Sequence, residues 1–253
     1  MVEDNKKDMS NDEEIEINNV EIEDSDSIQQ KDDSEIVDSN KPTKQFHRNL
    51  WKSIKLNWLF YITVFVCCIA LSAHTGTSFL NHILTLILVS TIGYFVHYTS
   101  HKISFTTLYK GNKNYITENK ILNTCVTEVC RFLDFHDETH HDTEINKTWY
   151  NILFEFVNNV VMQGGLLVAS IYFGKQLSIS SIILWSFFYA TVHNINYLFV
   201  KPQTHKNHHT DKHTSYGLDI YDVLFNTKYD PEELEIYNHA SVNLFLITVI
   251  IIY

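Results

Sequence analysis

The chain has 253 residues with 30 acidic and 19 basic side chains, a formal charge of −11, but residues 1–40 alone hold 15 of the acids and only three lysines, so the remainder is near neutral. Neither part has the basic surplus that a nucleic-acid backbone demands. Four cysteines, two of them adjacent at Cys67 and Cys68, exclude the framework of a disulfide-stapled secreted module.

In chain order, residues 1–45 read as a disordered acidic tail, because a charged stretch with few aromatics cannot bury enough apolar surface to offset its chain entropy. The string EDNKKDMSNDEEIEI lacks the positive start and apolar run of a cleavable signal peptide. Residues 46–253 read as a membrane-embedded domain. Residues 57–98 contain no Asp, Glu, Lys or Arg, about twice the length of about 20 residues that crosses the hydrocarbon core as a helix. The polar break AHTGTS divides them into predicted spans at 58–72 and 79–98. A second apolar block, 151–200, carries only Glu155 and Lys175 as charges and divides at FGKQ into spans at 152–173 and 179–199. The last run, 240–253, is apolar but short, and is expected at the interface or packed on the spans.

Basic residues set the orientation, since Lys and Arg stay on the cytoplasmic side. Lys44, Arg48, Lys52 and Lys55 precede the first span; Lys102, Lys110, Lys113, Lys120, Arg131 and Lys147 follow the second; Lys201, Lys206, Lys212 and Lys228 follow the fourth. Lys175 alone falls on the opposite face. The head, the 101–149 loop and the segment after 200 are therefore expected to be cytoplasmic, and Asn146, in an N-x-T sequon, unglycosylated.

Fourteen histidines are present, and three clusters stand out: His97 and His101 as H-x3-H, His136 with His140 and His141 as H-x3-HH, and His205 with His208 and His209 as H-x2-HH. All three fall on the face assigned from Lys and Arg. Imidazole suits iron, zinc, copper and nickel, and eight of them exceed the four to six positions around one ion, so two metals are implied. His193, at the end of the fourth span, is a ninth expected ligand because an ionisable group at membrane depth is a functional candidate. Asp134, Asp137, Glu138, Asp142 and Asp211 are expected to accept ring N–H groups and orient the imidazoles. His213 reads as solvated, His47, His74 and His82 as outside the site, and His239 is undecided. Cys125 and Cys130 read as ordinary thiols.

The order of these clusters across four spans resembles the fatty acid hydroxylase and sterol desaturase superfamily of membrane di-iron enzymes. Members carry a segment close to N-Y-G-x5-D-x-L-F-G-T after the last cluster. SYGLDIYDVLFNT at 215–227 matches at Tyr216, Gly217, Asp222, Leu224, Phe225 and Thr227, with four residues rather than five between Gly217 and Asp222, and with Ser215 and Asn226 where Asn and Gly are usual. His193 with Asn194 resembles the family's H-[SA]-N, and Tyr197 stands where a further histidine is sometimes found. The resemblance covers about residues 51–229. It implies an all-α polytopic membrane protein with four transmembrane helices and a cytoplasmic histidine-rich helical cap, and adds Asp222 to the carboxylates expected near the ligands. It further implies two non-haem iron ions, O2 as co-substrate, and hydroxylation or desaturation of a fatty acyl or sterol lipid in the endoplasmic reticulum. No H-P-G-G haem motif, C-x2-C pair or glycine-rich nucleotide fingerprint is present. Electrons are therefore expected from a separate donor such as cytochrome b5 and its reductase. Two other classes fit parts of the pattern: a zinc-dependent membrane hydrolase with Glu138 as base, and a metal-binding or metal-transporting membrane protein without catalysis.

Overall fold

The computed structural model describes residues 41–110, 118–141, 148–165 and 176–253. The acidic head, Lys113, Asp142, Asn146, Lys147 and Lys175 lie outside them, as does the side chain of Tyr197. Among the described residues all regular structure is helical: α1 (Lys41–Leu56), α2 (Trp58–Thr75), α3 (Phe79–Ser100), α4 (Phe105–Lys110), α5 (Lys120–Phe135), α6 (Trp149–Gln163), α7 (Ile179–Ile195), α8 (Gln203–Thr210), α9 (Asp219–Phe225) and α10 (Ala240–Ile252). Two π-helical turns, His136–His140 after α5 and Asn196–Val200 after α7, complete the set. The expected domain boundary at 45/46 falls inside α1, which begins at Lys41 and belongs to the same body as the rest.

Local sequence explains the helix ends. The side chains of Ser78, Thr148 and Ser178 accept hydrogen bonds from the N–H groups of Asn81, Asn151 and Ser181, satisfying donors that open a helix. At the other end of α2, Gly76 takes the left-handed conformation at φ +69° and donates its N–H to the Ser72 carbonyl. The AHTGTS break is thus a C-cap followed directly by an N-cap.

Helix α7 is the centre of the bundle, packing on α3, α6 and α10, while α2 packs on α3 and α10. Phe60, Cys67, Cys68 and Leu71 of α2 meet Leu86 and Val89 of α3, Trp185 and Phe188 of α7, and Leu244 and Ile247 of α10 in one apolar core. The closing apolar run therefore packs on its neighbours. Helices α2 and α3, at 18 and 22 residues, are long and apolar enough to cross a membrane. The described part of α6 has 15 residues and α7 has 17.

The outer surface of this bundle is apolar. Ile62, Phe65 and Ile69 of α2, Leu84, Ile87 and Leu88 of α3, and Phe245, Leu246 and Ile250 of α10 all face outward and exposed. Helix α6 carries the same inversion to its interior: Leu153, Val157 and Val161 are exposed, whereas Glu155, Asn158, Asn159 and Gln163 are buried along one stripe. Gln163 accepts from the Trp185 indole at 3.0 Å and donates to the Gly93 carbonyl at 3.2 Å. That approach requires a glycine, since a Cβ on residue 93 would lie 1.8 Å from Gln163 Oε1.

The segment after α8 is a folded strap. Asp222 accepts from the N–H groups of Tyr216 and Gly217 and from the Thr227 hydroxyl, and the Ser215 N–H donates to the Thr227 carbonyl. Ser215 and Asn226 adopt φ +55° and +54°. These are the two positions where the sequence departs from Asn and Gly, the residues that occupy this left-handed region at least cost.

Candidate metal centre

The four structural origins of the site are the end of α3, the π-turn after α5, the end of α7, and α8. His97 and His101 stand four residues apart on α3, so both rings leave the same face. The π-turn holds His136 and His140, whose rings stack at 4.9 Å between centroids. A π-turn in this place fits the tendency of such turns to occur at functional sites. Helix α8 presents His205, His208 and His209.

All nine histidines named from the sequence converge. The ligand atoms of His97, His101, His136 and His208 lie within 4.8 Å of one another, and all four residues are buried. A second group joins His140, His205 and His209 within the same span. Its Nε2 atoms are closer still, with His209 at 3.0 Å from His140 and 3.1 Å from His205. Nitrogens bound at about 2.1 Å to one ion at right angles would be about 3 Å apart, so this spacing suits a shared cation. His141 stands between the groups, its ring 4.7 Å from that of His101 and 4.6 Å from that of His209. His193 flanks the second group, 4.5 Å from His140 between ring centroids.

The hydrogen bonds carry the metal assignment further. Nε2 of His97, His101, His136, His141 and His208 is buried without a hydrogen-bond partner among the described residues, as is that of His193, which differs in standing 3.0 Å from a carboxylate oxygen of Glu155. Leaving such a group unsatisfied costs about 1–3 kcal/mol each. In three of these rings the other nitrogen is held: Nδ1 of His97 by the Tyr216 carbonyl, Nδ1 of His101 by Asp137 at 2.9 Å, and Nδ1 of His208 by the Thr214 carbonyl at 2.6 Å. A proton fixed on Nδ1 leaves the Nε2 lone pair for a metal. His82 is the contrast, since it is fully buried but has Nδ1 on Ser178 and Ser181 and Nε2 on Thr75. It is a satisfied core residue.

Electrostatics agree with ligation. Burial first, and neighbouring imidazoles second, push His136 and His205 well below the ordinary histidine range; the same causes place His208 at about 3 and His209 at about 4. The rings are therefore neutral at pH 7, the form that binds metal.

The expected orienting carboxylates divide. Asp137 holds His101 and is itself paired with Lys212 at 2.9 Å. Asp134 instead caps α4, accepting from the N–H groups of Phe105 and Thr106. Asp211 accepts from the His213 N–H in a tight turn, and Asp222 holds the strap. None of these three contacts an imidazole ligand, because each is spent on nearby backbone donors. Glu138 is exposed, away from the position a hydrolytic base needs. His213 and His239 are exposed as well, the latter bonded to Asn196.

Glu155 is the participant that the sequence reading left out of the site. Only 1% exposed, its Oε1 lies 2.6 Å from Nδ1 of His140 and 3.0 Å from Nε2 of His193. Its signal was available: a single carboxylate in an otherwise apolar span is costly unless it has a partner.

A cavity opens beside the cluster between α3, α7, α10 and the strap, walled by Tyr94, Trp185, Phe188 and Tyr221 and reaching His97, His193, His205 and His208. No protein-family model, curated protein or solved structure matches this chain. The fold and site define a helical protein with a buried cluster of two all-histidine lobes, the second of which is joined through His140 to a further group with Glu155 and His193.

Proposed function

We propose that the chain is a membrane-bound oxidoreductase that holds two iron ions and uses O2 to hydroxylate or desaturate a fatty acyl or sterol lipid. The observation that carries this reading is the set of five buried, partnerless Nε2 atoms inside a nine-histidine cluster. His97, His101, His136 and His208 would hold one ion and His140, His205 and His209 the other, with His141 and His193 within reach of the pair. Iron bound there supplies the capacity to activate oxygen and attack an unactivated C–H bond.

The chain's own residues perform the rest. The Tyr216 carbonyl, Asp137 and the Thr214 carbonyl keep protons on Nδ1 and so aim the lone pairs of three rings. Trp185 and Phe188 give one wall of the adjoining cavity an apolar surface suited to a hydrocarbon chain. The apolar outer faces of α2, α3 and α10 support a bilayer setting. In that setting α2, α3, α6 and α7 are the four spans, the basic flanks support a cytoplasmic side for the amino terminus and the histidines, and the family resemblance supports the endoplasmic reticulum as the membrane. Electrons come from a separate donor such as cytochrome b5 and its reductase.

Purified protein supplied with a reducing donor, O2 and lipid vesicles tests the reading. Two irons per chain and oxidised lipid are expected, with both lost or halved in His208→Ala. Tightly bound zinc that resists exchange for iron, or no metal, would overturn it.

A further inference from the structure

The two lobes of the cluster are alike in one respect and unlike in another. Each contains one imidazole backed by a carboxylate, His101 by Asp137 and His140 by Glu155. The charges of those carboxylates are handled differently. Asp137 is part-exposed and both of its oxygens lie within 3.0 Å of the Lys212 ammonium, so its charge is largely offset before it reaches His101. Glu155 is buried inside the bundle, and among the described residues its only ion-pair partners are the rings of His140 and His193. Among the described residues no lysine or arginine pairs with it.

We infer that Glu155 is the positioning carboxylate of the second metal lobe and makes the two metal positions unequal. The inference rests on the two-metal reading above. With Nδ1 of His140 held against Oε1, the ring is turned so that Nε2 meets those of His205 and His209. A carboxylate behind a ligating imidazole raises its basicity and fixes its orientation. With no lysine or arginine paired to it among the described residues, the full negative charge of Glu155 acts on this lobe through a low-dielectric interior, where charges interact most strongly. A buried carboxylate in an apolar helix is itself expensive, and a cation in the adjoining imidazole cage is the compensation the site offers. The lobe of His140, His205 and His209 therefore binds its divalent ion more tightly than the lobe of His97, His101, His136 and His208. In iron-loaded protein it also favours the more oxidised ion.

Cobalt(II) titration of the metal-free, detergent-purified full chain, followed by visible absorption, reads each lobe without turnover. Two binding steps are expected for the native protein, the tighter one abolished by His209→Ala. Glu155→Gln keeps a similar shape but removes the charge, and it should weaken the tighter step by about 10- to 100-fold while leaving the other unchanged. Asp137→Asn should affect the weaker step. Glu155→Asp, which restores the charge on a shorter arm, should recover part of the loss and serves as the readout if the Gln variant does not accumulate. Unchanged titration in Glu155→Gln, equal weakening of both steps, or an effect of Asp137→Asn on the same step would overturn the inference. Failure of the native protein to take up two ions would overturn the two-metal reading instead.

Discussion

The N–H of Tyr216 donates to Asp222 at 2.9 Å, and the carbonyl of the same Tyr216 accepts from Nδ1 of His97, so a carboxylate in α9 aims an imidazole of α3 across the strap. Burial raises the Asp222 carboxyl to about 6 against the pull of the three donors that face it. The folded protein then keeps this proton up to about pH 6, whereas the unfolded chain releases it near its ordinary value of about 4. Between those values the folded state binds more protons, so this group's contribution to stability falls as pH rises and is level above pH 6. Asp222→Asn should remove that slope, worth on the order of 3 kcal/mol, and weaken metal binding in the first lobe about tenfold. Thermal unfolding at pH 4 to 7 and metal titration, each compared with the native protein, check both effects.

The histidines have the opposite sign. His208 at about 3 and His209 at about 4 lie below the unfolded value of about 6.5, so between these limits the unfolded chain binds more protons. Stability from these groups is present above pH 6.5 and is lost as pH falls toward 4. In metal-free Asp222→Asn protein, where the opposing carboxyl is removed, the unfolding midpoint should drop over that interval, less so when His208→Gln is added. A midpoint that rises on acidification would show that the rings are not held neutral.

Two buried histidines should separate structure from ligation. His82→Ala breaks contacts to Ser178, Ser181 and Thr75 and should cost about 1–3 kcal/mol of stability with metal content unchanged. His208→Ala should lower metal content and abolish the rise in unfolding temperature that added metal gives the native protein, a gain of about 2.7 kcal/mol at 100 times the dissociation constant. Elemental analysis beside calorimetry distinguishes them.

The left-handed end of α9 gives a prediction without metal. Asn226 is exposed at φ +54°, so Asn226→Ala should destabilise by about 1 kcal/mol while Asn226→Gly matches or exceeds the native protein. Equal stability of the Ala and Gly variants would mean that strap strain is relieved elsewhere.

Eight of the nine imidazoles were legible in the sequence because their clustered spacings survive at the end of α3, in and just after the π-turn, and in α8; His193 was legible as an ionisable group at the end of an apolar run. The starts of α2, α3 and α7 were legible because an uncharged apolar run divided by a polar break marks its own limits, and at α3 and α7 a capping serine stands at that limit. Carboxylate roles were not. Asp134 and Asp211 sit two residues from a ligand and Asp137 one, but backbone donors of α4 and of the turn after α8 claim the first two, a competition decided by tertiary placement. Glu155 has no neighbouring histidine in sequence, and its partners arrive from the π-turn and α7. The π-turns have no periodic signature of their own.

The buried stripe of α6 bears on how the protein is made. In the four-span reading proposed above, a helix with Glu155, Asn158, Asn159 and Gln163 on one side is a poor candidate for release into lipid by itself, because among the described residues Glu155, Asn158 and Gln163 find partners on α3, α5 and α7 and at the histidine cluster. Its commitment to the bilayer during biogenesis is then conditional, following the arrival of α7 from later in the chain. On that reading, lesions in α3 or α7 would leave the polar stripe of α6 without these partners and lower the yield of folded protein before any ion is loaded.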